Sequence, residues 1–136
     1  MSATDPALSG TVLCIEDEPV CMTLVEVILA QHPAVRLIKA TGGRDGLHLA
    51  RSERPDLVLL DMKLPDISGL QVVRELSELI AERALRVVLL TSDSFSIDVV
   101  KALSLGAQEY WHKPLTSERL TIGLSRALEA VRRPAA

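Results

Sequence analysis

The chain has 136 residues, of which 48% are hydrophobic and 24% are charged, so it can form one domain with a substantial core and is not disordered. Its net charge of −3 argues against a dedicated nucleic-acid surface, which is usually strongly basic. Short apolar runs broken by charges predict no transmembrane span, and the N-terminus shows no signal-peptide pattern. Two cysteines, Cys14 and Cys21, do not make a disulfide framework, so we expect reduced thiols in a cytoplasmic protein.

Short apolar runs alternate with helical patterns along the chain. The runs predict five β-strands, at residues 11–15, 35–40, 57–60, 86–90 and, more weakly, 108–112. Five helices are predicted to follow these strands in turn. Their inward-facing residues are predicted as Val20, Leu24, Val27 and Ile28; Leu47 and Ala50, in a helix at 43–54; Leu70, Val73, Leu76 and Ile80; Ile97, Val100 and Leu103; and Leu120, Leu124, Ala127, Leu128 and Val131.

Strands that are continuously apolar, and that alternate with helices, predict a parallel sheet covered on both faces. Right-handed crossovers then give an α/β fold with a doubly wound, flavodoxin-like sheet in the order 2-1-3-4-5. Ser68 is expected to cap the third helix and Gly106 to end the fourth. We expect a flexible leader at residues 1–10, one domain at 11–131 and a tail or linker start at 132–136.

Charged and hydroxyl side chains follow four of the predicted strands. Glu16 and Asp17 follow the first strand, Asp61 the third, Thr91 the fourth and Lys113 the fifth. Ligands of such sheets bind at the carboxyl ends of the strands, where clustered carboxylates suit Mg²⁺. An aspartate is also a competent nucleophile for phosphoryl groups when nearby cations neutralise charge. Each residue alone is more often a turn, cap or surface residue, but together they are sufficient for phosphorylation of Asp61.

Four sequence blocks carry a family resemblance. They are VLCIEDEP, LVLLDMKLPDISGL, VVLLTSD and GAQEYWHKPL, in this order and at the expected separations. The chain resembles a response-regulator receiver domain of two-component signalling, of the CheY-like superfamily, over about residues 11–131. One block alone is weakly specific, whereas four in register are strongly specific.

The resemblance implies a phosphoacceptor and a metal site. Asp61 matches the phosphoacceptor aspartate, and Glu16 and Asp17 match the acidic pair that binds Mg²⁺, with Mn²⁺ as an alternative. The backbone carbonyl of Lys63 matches the third protein ligand of the metal, besides Asp61 itself. By this resemblance the protein is a signalling switch rather than an enzyme, because it promotes only its own phosphorylation and dephosphorylation.

The resemblance also implies a switch and an output face. Thr91 matches the hydroxyl that turns toward the phosphoryl group, Lys113 the lysine that contacts it, and Tyr110 the aromatic whose rotamer follows phosphorylation. The Lys113–Pro114 bond matches a position that is usually cis. The implied partners are a histidine kinase or phosphotransfer protein and a downstream target or effector domain. The face made by the fourth helix, the fifth strand and the fifth helix would bind the target or form a homodimer. This face includes Phe95, Ile97, Val100, Leu103, Tyr110 and residues 117–126, with much of Ile97, Val100 and Leu103 expected in the core.

Two residues near the expected site distinguish this chain. Lys63 and Asp93 stand at positions that flank the phosphoryl group in the family, and we expect their opposite charges to pair across the mouth of the site. An exposed pair contributes only about 0.2–1 kcal/mol, so its effect on phosphoryl lifetime should be modest. Asp66 is interpreted as an ordinary loop acid.

Two alternatives to a phosphorylated switch remain at this stage. A flavodoxin-like nucleotide or small-ligand binder would need a phosphate-cradling loop after the first strand, but the sequence there is acidic, from Glu16 to Glu18. A receiver-like adaptor that is never phosphorylated would usually lack the acceptor or the lysine, and Asp61 and Lys113 are both present.

Overall fold

A five-stranded parallel sheet forms the centre of the computed structural model, which describes residues 8–93 and 95–132. The strands are β1 (Gly10–Ile15), β2 (Val35–Ala40), β3 (Leu57–Asp61), β4 (Arg86–Thr91) and β5 (Glu109–His112). The helices are α1 (Pro19–Leu29), α2 (Gly43–Glu53), α3 (Gly69–Glu75), α4 (Ser77–Ala81), α5 (Ile97–Ser104) and α6 (Ser117–Arg132). The strand order β2-β1-β3-β4-β5 confirms the predicted topology. Gly10, assigned to the leader by sequence, already belongs to β1; residues 1–7 and 133–136 of the predicted leader and tail lie outside the described residues.

Successive residues of the central strands point to opposite faces of the sheet, and each face carries a core of its own. Val58 and Leu60 of β3 belong to the core beneath α2, α3 and α5. Leu57 and Leu59 belong to the core beneath α1 and α6. All four side chains are fully buried, which explains why this strand is apolar without interruption. Helices therefore cover both faces, as predicted.

The third predicted helix is two short helices. Leu76 separates α3 from α4 with φ −97° and ψ 3°, and its side chain is fully buried. Ser68 caps α3 as predicted, because its hydroxyl accepts a hydrogen bond from the backbone N–H of Gln71 at 3.1 Å. The predicted inward residues of α2 and α6 are buried, except that the side chain of Val131 lies outside the described residues. Gly106 follows α5 with φ +116°, which fits the expected glycine stop.

The predicted inward face of α1 is partly wrong. Val20 and Val27 are exposed, whereas the helix buries Cys21, Met22, Val25, Ile28 and Leu29 against β1 and α6. Because α1 is apolar on almost every side, its periodicity could not identify the stripe that packs on the sheet.

The predicted burial of α5 is also partly wrong. This helix packs on the sheet through Val99 and Ala102, while Ile97 is 70% exposed and Val100 is also exposed. Leu103 is partly buried against the core. Because Val99 and Ala102 face the core, Ile97 and Val100 lie on other sides of the helix and are turned outward. An apolar strip of α5 is therefore available at the surface.

Candidate functional site

Three carboxylates converge at the carboxyl edge of the sheet. Each of Glu16, Asp17 and Asp61 offers one oxygen, and these oxygens lie within 4.8 Å of one another. Asp61 is the last residue of β3, and the N–H of Glu16 continues the ladder between β1 and β2 by donating to the carbonyl of Ala40 at 2.9 Å. Glu16 and Asp61 are buried and Asp17 is exposed, so the cluster opens to solvent on one side.

Lys113 provides a cation within this cluster. Its Nζ lies 2.8 Å from Glu16 Oε1, 3.5 Å from Asp61 Oδ1 and 3.6 Å from Glu18 Oε1. The backbone N–H of Lys113 donates to the carbonyl of Thr91 at 2.7 Å, which ties the loop after β5 to the end of β4. The Lys113–Pro114 bond is cis, as predicted. The fold therefore brings the acidic and basic residues of three strand ends to one place, as expected.

The electrostatics of the cluster oppose ionisation of Asp61. Burial first, and then the neighbouring Glu16, raise the pKa of Asp61 to about 6, although the Lys63 N–H at 3.1 Å and Lys113 act to lower it. For Lys113, burial by itself favours the neutral amine, but the contacts with Glu16 and Asp61 outweigh it and raise the pKa above its usual range. A charged lysine thus faces carboxylates that cannot all be ionised without further positive charge.

This raised pKa predicts that the Asp61→Asn variant is more stable than the natural protein at neutral pH. The folded-state pKa of about 6 lies above the unfolded value of 3.8, so the stability that protonated Asp61 contributes is complete below pH 3.8 and is lost as pH rises through 6. The amide removes this loss, and we expect a gain on the order of 1–3 kcal/mol at pH 7.5 without metal. Urea unfolding across this pH range, with chelator present, measures the difference; equal stabilities at pH 7.5 would contradict the expectation.

The hydroxyl of Thr91 is engaged by the loop that follows it. It donates to the backbone carbonyl of Asp93 at 3.1 Å and accepts from the backbone N–H of the same residue at 3.0 Å. Tyr110, on the neighbouring strand, is partly exposed, and Phe95 in the loop is 94% exposed. The Thr91 hydroxyl therefore points toward the loop after β4, and the side chains of Phe95 and Tyr110 face solvent.

Lys63 and Asp93 line the same cavity of about 340 Å³ that contains Asp61, Thr91 and Lys113. Within residues 8–93 and 95–132, however, no ion pair joins Lys63 to Asp93. The Asp93 carboxylate instead accepts a hydrogen bond from the backbone N–H of Phe95 at 3.2 Å. The expected pair across the mouth is therefore not formed in this structure, although both side chains flank the cavity.

The chemistry of the donor set fits a hard divalent cation. Carboxylate oxygens are the ligands that Mg²⁺ prefers, and three of them are gathered here. Glu16 Oε1 is fully buried and makes no hydrogen bond; its short contact with Lys113 Nζ is ionic and lacks hydrogen-bond geometry. A buried carboxylate with an oxygen free of hydrogen bonds is poorly stabilised unless positive charge lies beside it. The residues present therefore suit a metal, without identifying which one.

Asp66 has a role that sequence reasoning missed. Its carboxylate accepts hydrogen bonds from the backbone N–H groups of Gly43 at 2.8 Å and Arg44 at 2.9 Å, so it caps the N-terminus of α2 from a different segment of the chain. Side chains at Gly42 and Gly43 would meet Asp66 and Ile67, so the two glycines make room for this contact. The interpretation as an ordinary loop acid is wrong, because no signal of local spacing identifies a cap made across the fold.

The cap predicts an acid-sensitive contribution to stability. Hydrogen bonds from the Arg44 and Gly43 backbone lower the pKa of Asp66 to about 2. Because this folded-state value lies below 3.8, the contribution is present above about pH 4 and is lost as pH falls toward 2. We expect Asp66→Ala to lower the thermal midpoint at pH 7, and Asp66→Asn, which keeps an acceptor, to lower it less. Thermal unfolding at pH 7 and pH 2.5 checks this, and a difference between natural protein and Asp66→Ala that persists undiminished at the lower pH would contradict it.

Neither cysteine is a candidate nucleophile. Both are free and buried, as expected. Burial raises the pKa of Cys21 to about 12 and that of Cys14 well above its usual range, so neither is a reactive thiolate.

The receiver domain of response regulators is the family that the chain matches, over residues 12–124. The chain is 34% identical over 109 residues to the protein PilH of Pseudomonas aeruginosa, covering 80% of this chain and 89% of PilH. It is 34% identical over 128 residues to the nitrate/nitrite response regulator protein NarL of Escherichia coli, covering 93% of this chain and 57% of NarL. It covers 45% of the transcriptional regulatory protein AfsQ1 of Streptomyces coelicolor, with 39% identity. The chain thus spans nearly all of PilH but about half the length of the other two.

Solved receiver domains have the same fold. The BeF3-activated DrrB receiver domain superposes with a TM-score of 0.75 at 30% identity, covering 90% of this chain and 99% of DrrB. The receiver domain of the sensor histidine kinase PA1611 from Pseudomonas aeruginosa superposes with a TM-score of 0.76 at 26% identity, covering 89% and 98% of the two chains. That crystal structure has a magnesium ion coordinated in its active site cleft. Within the described residues of our chain, no helix is both long enough and apolar enough to cross a membrane.

Proposed function

The chain belongs to the response regulator receiver domain family, and on this premise we propose that it is a signalling switch whose phosphoacceptor is Asp61. The observation that carries the proposal is the convergence of Asp61 with two further carboxylates and the Nζ of Lys113. Residues 11–131 would form this one domain. The donor would be a histidine kinase or a phosphotransfer protein, and we place the protein in the cytoplasm with such partners.

The proposed reaction is a transfer of a phosphoryl group to a carboxylate. An oxygen of Asp61 forms a bond to phosphorus while the bond between phosphorus and the donor's nitrogen or oxygen breaks, which leaves an acyl phosphate and the released donor. Lys113 neutralises charge on the phosphoryl oxygens, and the Lys63 N–H orients Asp61 by its hydrogen bond at 3.1 Å. Only ionised Asp61 is nucleophilic, so added positive charge favours the reactive form.

Glu16, Asp17, Asp61 and the backbone carbonyl of Lys63 would hold the metal, which we propose to be Mg²⁺ or, alternatively, Mn²⁺. A bound divalent cation would supply charge neutralisation at the transferring phosphoryl group. The residues of the chain prepare that site: β1 and β3 fix the two buried acids, and the N–H of Glu18 donates to Glu16 Oε2 at 3.1 Å. The site would therefore be preformed by the ends of rigid strands rather than assembled by the ligand.

Phosphorylation would be communicated by Thr91 and Tyr110. The Thr91 hydroxyl would exchange its two contacts with the Asp93 backbone for a charge-assisted hydrogen bond to a phosphoryl oxygen. The loop would move with it and give Tyr110 room to turn inward. The output face, made of α5, β5 and α6, exposes Phe95, Ile97 and Val100, and such an apolar surface suits a downstream protein or a second copy of the chain.

The two alternatives are less well supported. A nucleotide binder would need donors after β1, but Glu16 and Asp17 present carboxylates there. A receiver-like adaptor would not require an acceptor and a lysine within 3.5 Å of each other, as Asp61 and Lys113 are.

Incubation with a small phosphodonor tests the proposal. The purified chain, treated with acetyl phosphate and Mg²⁺, should gain the mass of one phosphoryl group in intact-mass spectrometry. Removal of Mg²⁺ with a chelator should prevent the gain, because the acidic cluster then lacks the charge that the transfer needs. An unmodified protein under magnesium-rich conditions would favour the adaptor.

The residues at the mouth of the cavity should tune how long the phosphoryl group survives. We expect Lys63→Ala or Asp93→Ala to shorten the half-life of phosphorylated Asp61, because water reaches the group more easily without these side chains. The change should stay within about fivefold, since an exposed interaction contributes at most about 1 kcal/mol. Decay of the phosphorylated mass after removal of the donor measures it. Half-lives unchanged in both variants would reject a role for these residues.

A further inference from the structure

A second groove, of about 420 Å³, lies between α2 and α3. Arg44, His48 and Arg51 form its basic wall on α2. Leu47 and Ile67 supply apolar surface at its floor. None of these residues lines the acidic cavity around Asp61, so the groove is a separate surface.

The basic residues of the groove form a line along α2. Arg44, His48 and Arg51 are four and three residues apart and therefore lie on one side of the helix. They span about 10 Å along the helix axis. Asp45, the acidic residue in the first turn of α2, does not line the groove. In a chain with a net charge of −3, the two arginines of this line bring two positive charges to one side of α2, and His48 lies between them.

The charge of Arg44 is available to a partner, whereas that of Arg51 is shared with Glu75. Arg44 forms no ion pair with any residue of the described part of the chain. Arg51 contacts Glu75 Oε1 at 3.2 Å, and both side chains are about half exposed, so this contact is weak and can be exchanged. Gln71 also donates to Glu75 at 3.0 Å, which holds that carboxylate on the opposite wall.

We propose that this groove is a docking surface for an acidic amphipathic helix of a partner protein. A small anion would reach only one end of the line, whereas carboxylates one and two turns apart on a helix match Arg44, His48 and Arg51 together. An apolar side chain between those carboxylates would rest on Leu47 and Ile67. This binding goes beyond the phosphoryl transfer proposed above and does not depend on it.

Nuclear magnetic resonance with a synthetic peptide tests the proposal. The nitrogen-15-labelled full chain is titrated, without metal or phosphodonor, with a helical peptide that carries glutamates at i, i+4 and i+7 and a leucine between them. We expect saturable shifts at the amides of the groove, from Arg44 to Arg51 and at Ile67. A peptide with lysine in place of each glutamate should cause no such shifts.

Two variants of the groove and one matched control make the test specific. Arg44→Glu and His48→Glu should each weaken peptide binding, the former about fivefold or more, because an attraction is lost and a repulsion is added. Arg119→Glu changes an exposed arginine of α6 outside the groove and should leave the affinity unchanged. Binding that is equally weak in all three variants, or shifts elsewhere on the surface, would overturn the proposal. A dimer that light scattering detects at higher protein concentration, and that shifts the same amides in the NMR spectrum, would also overturn it, since a second copy would then be the occupant.

Discussion

The Asp61→Asn variant is expected to take up no phosphoryl group under conditions that fully label the natural chain. Its amide is a poor nucleophile and cannot form an acyl phosphate. The surrounding geometry should survive, because Asp61 is the last residue of a fully buried strand and an amide has nearly the same shape. Intact-mass spectrometry after treatment with acetyl phosphate and Mg²⁺ gives the measurement.

A matched aspartate of the same cavity provides the control. Asp98 also lines the cavity, but it lies on α5 and is exposed, so Asp98→Asn should be labelled like the natural chain. Asp61→Asn should meanwhile be folded and at least as stable as the natural protein at neutral pH, which excludes unfolding as the cause of lost labelling. Full labelling of Asp61→Asn would place the acceptor elsewhere and overturn the proposed function.

The Lys113→Met variant is expected to lose about 3 kcal/mol of unfolding free energy at neutral pH, the cost typical of removing one partner from a buried ion pair. Lys113 Nζ lies 2.8 Å from Oε1 of the fully buried Glu16, and without it this carboxylate would keep a buried charge with no cation beside it. Urea unfolding with chelator present measures the loss. Labelling by acetyl phosphate should slow as well, because charge at the phosphoryl group is no longer neutralised.

Two further variants separate this effect from a general cost of removing a lysine. Lys39→Met breaks an exposed pair with Glu26 at 2.9 Å and should cost about 0.2–1 kcal/mol. Adding Glu16→Gln to Lys113→Met should recover part of the loss, since it removes the charge that was left alone. If Lys113→Met costs no more than Lys39→Met, the ionic contact with Glu16 does not stabilise the fold.

The fold and the gathering of the site were predictable because they follow from rules that act over short stretches of sequence. Continuous apolar runs such as Leu57–Leu60 indicate buried parallel strands, and parallel strands bring their carboxyl ends to one edge. That edge places Glu16 and Asp61 side by side, because β1 and β3 are adjacent, and Lys113 reaches them from the end of β5 with its long side chain. Their chemical roles remain predictions until labelling is measured.

What the sequence did not reveal depends on contacts between distant segments. Val20 and Ile97 are as apolar as their buried neighbours, and only the approach of each helix to the sheet decides that they are exposed. The cap that Asp66 makes on α2 connects it to Gly43 and Arg44, which are 23 and 22 positions earlier in the chain, so no local pattern predicts it. The missing pair between Lys63 and Asp93 has a local cause instead, because the Asp93 carboxylate accepts a hydrogen bond from the Phe95 backbone two residues on.

The carboxylate of Asp66 connects the segment that follows Asp61 to the start of α2. Lys63, which donates to Asp61, and Asp66, which holds the start of α2, are only three residues apart. A rearrangement at the end of β3 would therefore either break the hydrogen bonds from Gly43 and Arg44 to Asp66 or displace α2. In both cases a reaction at Asp61 would change the structure around α2. This helix follows β2, which is at the opposite edge of the sheet from β5 and Tyr110.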